Sequence, residues 1–215
     1  MWYEIFYRDP DFVRSIQVIL ELLGTLAFAL SGIRHAAEKK YDWFGGFVCG
    51  FSVAIGGGTL RDLMLGVTPF WMTSPFYVVC TMLAQVIVIV FAKYMKRLDN
   101  TWLLFDTIGL ALFTIAGIQK SLTCAQPFWV AIIMGCITGC AGGIIRDVLL
   151  NKPPVVFQKE IYAMASVAGG LLYWFMVWLE LNFAVTVVVT FIAIITIRFL
   201  ALRYHISLPV LQSEE

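Results

Sequence analysis

The chain has 215 residues, of which 60% are hydrophobic and 13% charged, and its formal net charge is +1. A soluble domain carries about 25% charged residues, so this composition excludes a water-soluble globule and describes an all-α integral membrane protein. A span needs ~20 residues, so the length is counted in spans rather than in soluble domains.

Seven spans are predicted in chain order, at 12–33, 43–65, 76–95, 101–118, 127–150, 157–179 and 183–202. The joins carry the turn chemistry: RHAAEKKYD (34–42), GVTPFWMTSP (66–75), KYMKRLDN (93–100), QKSLTCAQP (119–127) and NKPPVVF (151–157). Residues 1–204 therefore form a single transmembrane domain, with 205–215 as a short tail. The first apolar stretch is too long for a signal peptide and lacks its basic start and small-residue cleavage site, so Met1 is expected to begin the mature chain.

Seven spans place the N-terminus on the side that holds Arg8, Arg14 and Lys120. The opposite side holds Arg34, Lys39, Lys40, Lys93, Lys96, Arg97, Lys152, Lys159, Arg198 and Arg203. The positive-inside rule then puts the N-terminus outside and the C-terminus in the cytoplasm, in a multi-pass protein of the cell inner (plasma) membrane.

Cys49, Cys80, Cys136 and Cys140 fall within spans and Cys124 in a loop, so no disulfide framework is legible. Cys136 and Cys140 share a helix face where a soft metal could bind, but small buried thiols in a packed helix are the plainer account, and no metal is expected. His35 and His205 sit in a loop and in the tail and read as solvated residues. No Ser, His or Cys catalytic set converges, so the chain is not expected to be an enzyme, and neither a cofactor nor a nucleic-acid partner is expected.

SVAIGGGTLRDLMLG (52–66) recurs as TGCAGGIIRDVLLN (138–151) at a constant offset of 85, which pairs Gly57 with Gly142, Gly58 with Gly143, Arg61 with Arg146 and Asp62 with Asp147. The same offset pairs Glu21 with Asp106, Gly24 with Gly109, Phe28 with Phe113, Gly32 with Gly117, Gly50 with Gly135, Pro69 with Pro154 and Tyr77 with Tyr162. This is an internal repeat, about 12–95 followed by 101–179, with the helix at 183–202 as an appendage. Three spans are an odd number, so the copy enters the membrane from the opposite side and the two three-helix repeats are inverted.

Consecutive glycines destabilise a helix by about 1 kcal/mol each and free carbonyls that hydrocarbon cannot satisfy. Gly56, Gly57 and Gly58, with Gly142 and Gly143, are therefore expected to break the second and fifth spans where they line a water-filled path. Packing is a second use. Gly46, Gly50, Ala54 and Gly58 recur every four residues, as do Ala131, Gly135, Gly139 and Gly143, making faces on which helices can touch.

An Arg or Asp at the centre of a span costs roughly 2.5–3.5 kcal/mol, although an Arg near its end can snorkel. Adjacent helix positions point apart, so Arg61 and Asp62 are not expected to pair. By depth, Glu21 could approach Arg61 and Asp106 could approach Arg146.

The doubled GGGTLRD and AGGIIRD signatures and the 3+3+1 layout resemble the bacterial members of the TRIC family, the trimeric intracellular cation channels, which also carry a glycine-transporter domain label. The likeness runs from residue 12 to 202. It implies a homotrimer with a potassium-selective pore in each protomer, flanked by glycine kinks at Gly56, Gly57, Gly58, Gly142 and Gly143. The animal channels carry a lipid-binding Lys-Glu-Val run on the second span, and GGFVCGFSV here departs from it.

The leading expectation is a monovalent cation channel for potassium or sodium in the lipid bilayer, with Ser52, Thr59 and Thr138 offering hydroxyls to the path and Arg61, Asp62, Arg146 and Asp147 as lining or gating candidates. The alternative is a secondary transporter of a small zwitterion such as glycine, with the arginines as carboxylate anchors. A structural trimer is a third reading, and in each case the last span is expected to cover the bundle or brace the protomer contact.

Overall fold

The computed structural model describes residues 10–97, 101–158, 161–204 and 206. Arg8, Lys159, His205 and the tail after Ile206 lie outside the described residues. Eight α-helices are present among the described residues: α1 (Pro10–Glu38), α2 (Trp43–Met64), α3 (Phe76–Val90), α4 (Ala92–Arg97), α5 (Thr101–Thr123), α6 (Phe128–Leu149), α7 (Ala163–Trp178) and α8 (Phe183–Arg203). Five of them, α1, α2, α5, α6 and α8, are long and apolar enough to cross a membrane.

That count departs from seven equal spans. The expected third span divides at Phe91 into a 15-residue α3 and the six-residue α4, and the expected sixth starts only at Ala163, leaving a 16-residue α7. The chain ahead of α7 is held out of the helix by Pro153 and Pro154, which lead into a 3-10 turn at Val155–Phe157. Conversely, α1 continues through Glu38 and α5 through Thr123, absorbing residues that read as loop.

Local chemistry sets the helix ends. Asp42 caps α2 by accepting a hydrogen bond from Gly45 N at 2.6 Å, and Asn182 caps α8 by accepting from Ala184 N at 2.9 Å. Left-handed residues follow α1, α2, α5 and α6 at matched positions: Lys40 (φ 60°) with Ala125 (φ 57°), and Gly66 (φ 69°) with Asn151 (φ 50°). Beyond them the Val67 amide bonds the Asp62 carbonyl at 2.9 Å, and the Lys152 amide bonds the Asp147 carbonyl at 2.8 Å. Both halves thus close their second helix with the same returning turn.

α1 packs on α2 and α5 packs on α6, while α1 meets α5 and α2 meets α6 across the halves. The glycine ladders make the first two contacts: a Cβ on Gly32 would lie 3.1 Å from the Gly50 Cα, and one on Gly117 would lie 2.8 Å from the Gly135 Cα. Contacts between halves are reciprocal. A Cβ on Gly24 would meet the Phe113 ring at 3.0 Å, and one on Gly109 would meet the Phe28 ring. Pairing an early position with a late one, in both directions, is what a two-fold axis between antiparallel helices generates. α8 lies outside this pattern, against α7 and α5.

The expected helix break is absent. α2 is continuous through Gly56–Gly58 and α6 through Gly142–Gly143. The glycines are instead filled by neighbours: Ile145 against Gly56, the Thr138 backbone against Gly57, Phe70 against Gly58, the Val53 carbonyl against Gly142 and the Tyr162 hydroxyl against Gly143. Packing supplies the stability that these five helical glycines give up, and the backbone bonds stay within the two helices.

Candidate functional site

Two charge clusters sit at matched positions. In the first, Arg61 Nη2 is 2.9 Å from Glu21 Oε1, and its Nε donates to Asp62 Oδ1 at 2.7 Å. The other Glu21 oxygen accepts from the Tyr77 hydroxyl at 3.1 Å, and the other Asp62 oxygen accepts from the Phe70 amide at 2.7 Å. Arg61 and Asp62 have no solvent exposure, and Glu21 has 4%.

In the second, Arg146 Nη1 bonds Asp106 Oδ1 and donates to Ser31 Oγ at 3.1 Å, while its Nε donates to Asp147 Oδ1 at 2.9 Å. Asp147 Oδ2 accepts from the Val155 amide at 2.9 Å. Each cluster therefore ties three consecutive elements together: a carboxylate from the first helix, the Arg-Asp pair from the second, and the amide of a short turn eight residues beyond that aspartate. Burying such charges is tolerable only when they are paired, and each charge here is, although Arg61 Nη1 and Asp106 Oδ2 are left without a hydrogen-bond partner.

Arg61 and Asp62 do pair, as do Arg146 and Asp147, contrary to the expectation for helix neighbours. The cause is the length of the arginine side chain: its Nε folds back over the adjacent carboxylate while the guanidinium tip reaches the next helix.

The remaining candidates divide. Thr59 Oγ1 donates to the Ile55 carbonyl at 2.7 Å and accepts from Trp71 Nε1 at 3.1 Å, and Ser52 is half-buried. Thr138 is fully buried and its hydroxyl is spent on the Met134 carbonyl at 2.5 Å, so it does not present that group to a path in this conformation. Cys136 and Cys140 stand 4.0 Å apart through their sulfurs, and no group of three or more His, Cys, Asp or Glu among the described residues could hold a metal.

His35 is not a solvated loop residue. It is buried near the end of α1, where it meets Lys152 Nζ and stacks on Trp102 with centroids 4.5 Å apart. Trp102 in turn lies 4.9 Å from the Arg146 guanidinium.

Sequence reasoning missed Arg198 as a site residue. This arginine of α8 is fully buried, its guanidinium 4.8 Å from the Tyr162 ring centre and its Nη1 donating to the Ile161 carbonyl at 3.1 Å. An arginine in a β-branched, otherwise apolar stretch was the available signal.

At their closest, α2 and α6 touch backbone to backbone. Gly57 faces the Thr138 carbonyl, and a Cβ on Gly142 would lie 2.7 Å from the Val53 carbonyl oxygen. Positions 53 and 57 match 138 and 142, so this seam carries the same two-fold reciprocity. Arg61 and Arg146 follow it by one helical turn on each side.

Comparison with known proteins agrees with this layout. A family model described as "Glycine transporter" matches twice, over residues 18–93 and 103–178, two segments separated by the same 85 positions. A UPF0126 membrane protein of Vibrio cholerae is 38% identical over 213 residues, covering 96% of this chain and 89% of that protein. The UPF0126 inner membrane protein YadS of Escherichia coli is 38% identical over 204 residues, covering 91% and 96%. The structure of the TRIC trimeric intracellular cation channel orthologue from Rhodobacter sphaeroides matches with a TM-score of 0.82 at 29% identity, covering 89% of this chain and all of that one. The chain is thus a multi-pass helical membrane protein that belongs to the bacterial TRIC-like family described as "Glycine transporter".

Proposed function

We propose that the protein is a potassium-conducting monovalent cation channel of the cell inner membrane, a homotrimer in which each protomer carries its own path along the α2–α6 seam. The observation that carries this reading is that seam: two glycine-rich helices meet about a two-fold relation, with a buried arginine–carboxylate cluster one turn beyond the contact on either side. Backbone contact at Gly57, Thr138 and Gly142 makes the conformation a closed one, so conduction requires α2 and α6 to separate there. Ser52 and Thr59, which are only half-buried, are the hydroxyls that meet water on opening, and Arg61, Asp62, Arg146 and Asp147 set the field at its two ends.

In the same reading the shorter α3, continued by α4, and α7 also span the bilayer. That gives seven crossings, two inverted three-helix repeats and a seventh helix, with the N-terminus outside. Channel relatives that match over nearly the whole chain support conduction, and the trimer named for the Rhodobacter protein supports self-association.

A carrier for a small zwitterion such as glycine is the second reading, favoured by the family description and by the buried Arg61 and Arg146, whose guanidiniums already bind carboxylates of the chain itself. Purified protein in liposomes, tested with a potassium gradient and a voltage-sensitive dye and, in parallel vesicles, with labelled glycine, separates the two. Unitary potassium currents without saturable glycine counterflow support the channel; saturable counterflow without unitary currents overturns it.

A further inference from the structure

The two halves match in register, and one polar contact between matched residues is made in the first half and not in the second. In the first, the Tyr77 hydroxyl donates to Glu21 Oε2 at 3.1 Å. The matched pair in the second half, Tyr162 and Asp106, makes no such bond. Asp106 Oδ2 and the Tyr162 hydroxyl are both without a hydrogen-bond partner, in residues that are 0% and 1% exposed.

Two substitutions explain the gap. Aspartate is one methylene shorter than glutamate, and with Oδ1 held by Arg146 its second oxygen makes no bond to the phenol. Position 70 is phenylalanine, whose ring packs edge-on against Tyr77 at 4.6 Å and fills the space beside Gly58, whereas the matched position 155 is the smaller valine. The space beside Gly143 is met by the Tyr162 hydroxyl instead: a Cβ there would lie 2.6 Å from that oxygen and 3.4 Å from Asp106 Oδ1. Phenol and carboxylate therefore flank one point without bonding each other.

A buried acceptor and a buried donor left in this state cost free energy that one bridging molecule removes. We infer that Asp106 Oδ2 and the Tyr162 hydroxyl hold a single buried water, which takes the phenol's hydrogen bond and donates one to the carboxylate. Two legs of about 2.8 Å bridge oxygens that do not bond directly, and two to four polar partners are what a buried water takes. A potassium ion is the poorer occupant, because the Arg146 and Arg198 guanidiniums flank the site and two oxygens fall well short of a cation's coordination shell. The second half thus places a water between phenol and carboxylate where the first makes a direct bond, whether the protein conducts or carries.

Radiolytic hydroxyl labelling of the full-length protein tests this, because side chains beside a bound water are oxidised far above what their exposure predicts. Tyr162 is expected to label several-fold faster than Tyr77, both being at most 3% exposed. Asp106→Glu restores the missing methylene and is expected to lower Tyr162 labelling to the Tyr77 rate, while Glu21→Asp is expected to raise Tyr77 labelling, so either variant can decide if the other fails to fold. Replacing potassium with N-methyl-D-glucamine is expected to leave the yields unchanged. Equal labelling of the two tyrosines in the native chain, insensitivity to both swaps in folded protein, or Tyr162 labelling that rises only when potassium is removed would each overturn the assignment.

Discussion

Phe28 stacks on Phe113, ring centroids 5.4 Å apart and planes inclined by 14°, and the two rings stand at equivalent positions of the two halves. Each also covers the other's glycine, Phe28 over Gly109 and Phe113 over Gly24. A two-fold axis between α1 and α5 makes a residue meet its own counterpart in this way. The rings are therefore one point at which the halves are fastened, beside the α2–α6 seam, with Phe70 edge-on to Phe113 at 6.1 Å linking the short turn to the same cluster.

Truncation of either ring is expected to destabilise the folded protein by about 3–5 kcal/mol, the range for removing a buried aromatic side chain. Because Phe28 and Phe113 are in contact, the double change Phe28→Ala with Phe113→Ala should cost less than the sum of the single changes. Denaturant titration of purified protein in mild detergent measures all three. Strict additivity would mean that the halves are held elsewhere.

Arg61 holds two buried carboxylates and Arg146 holds two more, so neutralising either arginine leaves uncompensated charge. Arg61→Met is expected to destabilise by about 3–5 kcal/mol, and adding Glu21→Gln should recover part of that loss. Thermal melting of the single and double variants checks it. If the double variant melts no higher than Arg61→Met, the Glu21 contact is not where the energy resides.

Much of this arrangement was legible in the sequence because the offset of 85 carries both chemistry and geometry. The Gly32–Gly50 and Gly117–Gly135 contacts follow from small residues every four positions, and the charge clusters follow from an Arg-Asp step repeated with a carboxylate 40 residues upstream. What was not legible depends on tertiary reach. Helical glycines read as breaks until Phe70, Tyr162 and the facing backbone are seen to fill the space they leave. The turn amides of Phe70 and Val155, each eight residues beyond the aspartate it binds, have no local signature, and the burial of His35 depends on Trp102 and Lys152, both far along the chain.

The role of α8 is decided by where its inward residues go. Ile194 fills the space beside Gly169 of α7, and Arg198 reaches over Tyr162, so the helix completes the second half. A chain truncated before residue 183 is expected to insert yet melt at a lower temperature. An intact melting temperature together with unchanged flux would remove the structural role.

The glycine seams differ in what a methyl would strike, and this separates packing from function. At Gly57 the obstacle is the Thr138 carbonyl and at Gly142 it is the Val53 carbonyl, both backbone atoms that cannot rotate away. At Gly50 and Gly135 the nearest atoms include the flexible ends of Ile33 and Ile118, although the Thr114 carbonyl lies 2.7 Å from the Gly135 position. Both double substitutions to alanine are expected to overpack their seams and lower stability, by about 1–3 kcal/mol per site less up to ~1 kcal/mol returned by better helix propensity. Only Gly57→Ala with Gly142→Ala forces α2 and α6 apart, so only that pair is expected to change potassium flux per folded protein. Gly50→Ala with Gly135→Ala separates helices within each half and should leave unit flux as it was. Flux in liposomes normalised to folded protein, beside melting temperature, makes the comparison. If the seam pair conducts normally and the ladder pair does not, the α2–α6 contact is a packing device and ions pass elsewhere.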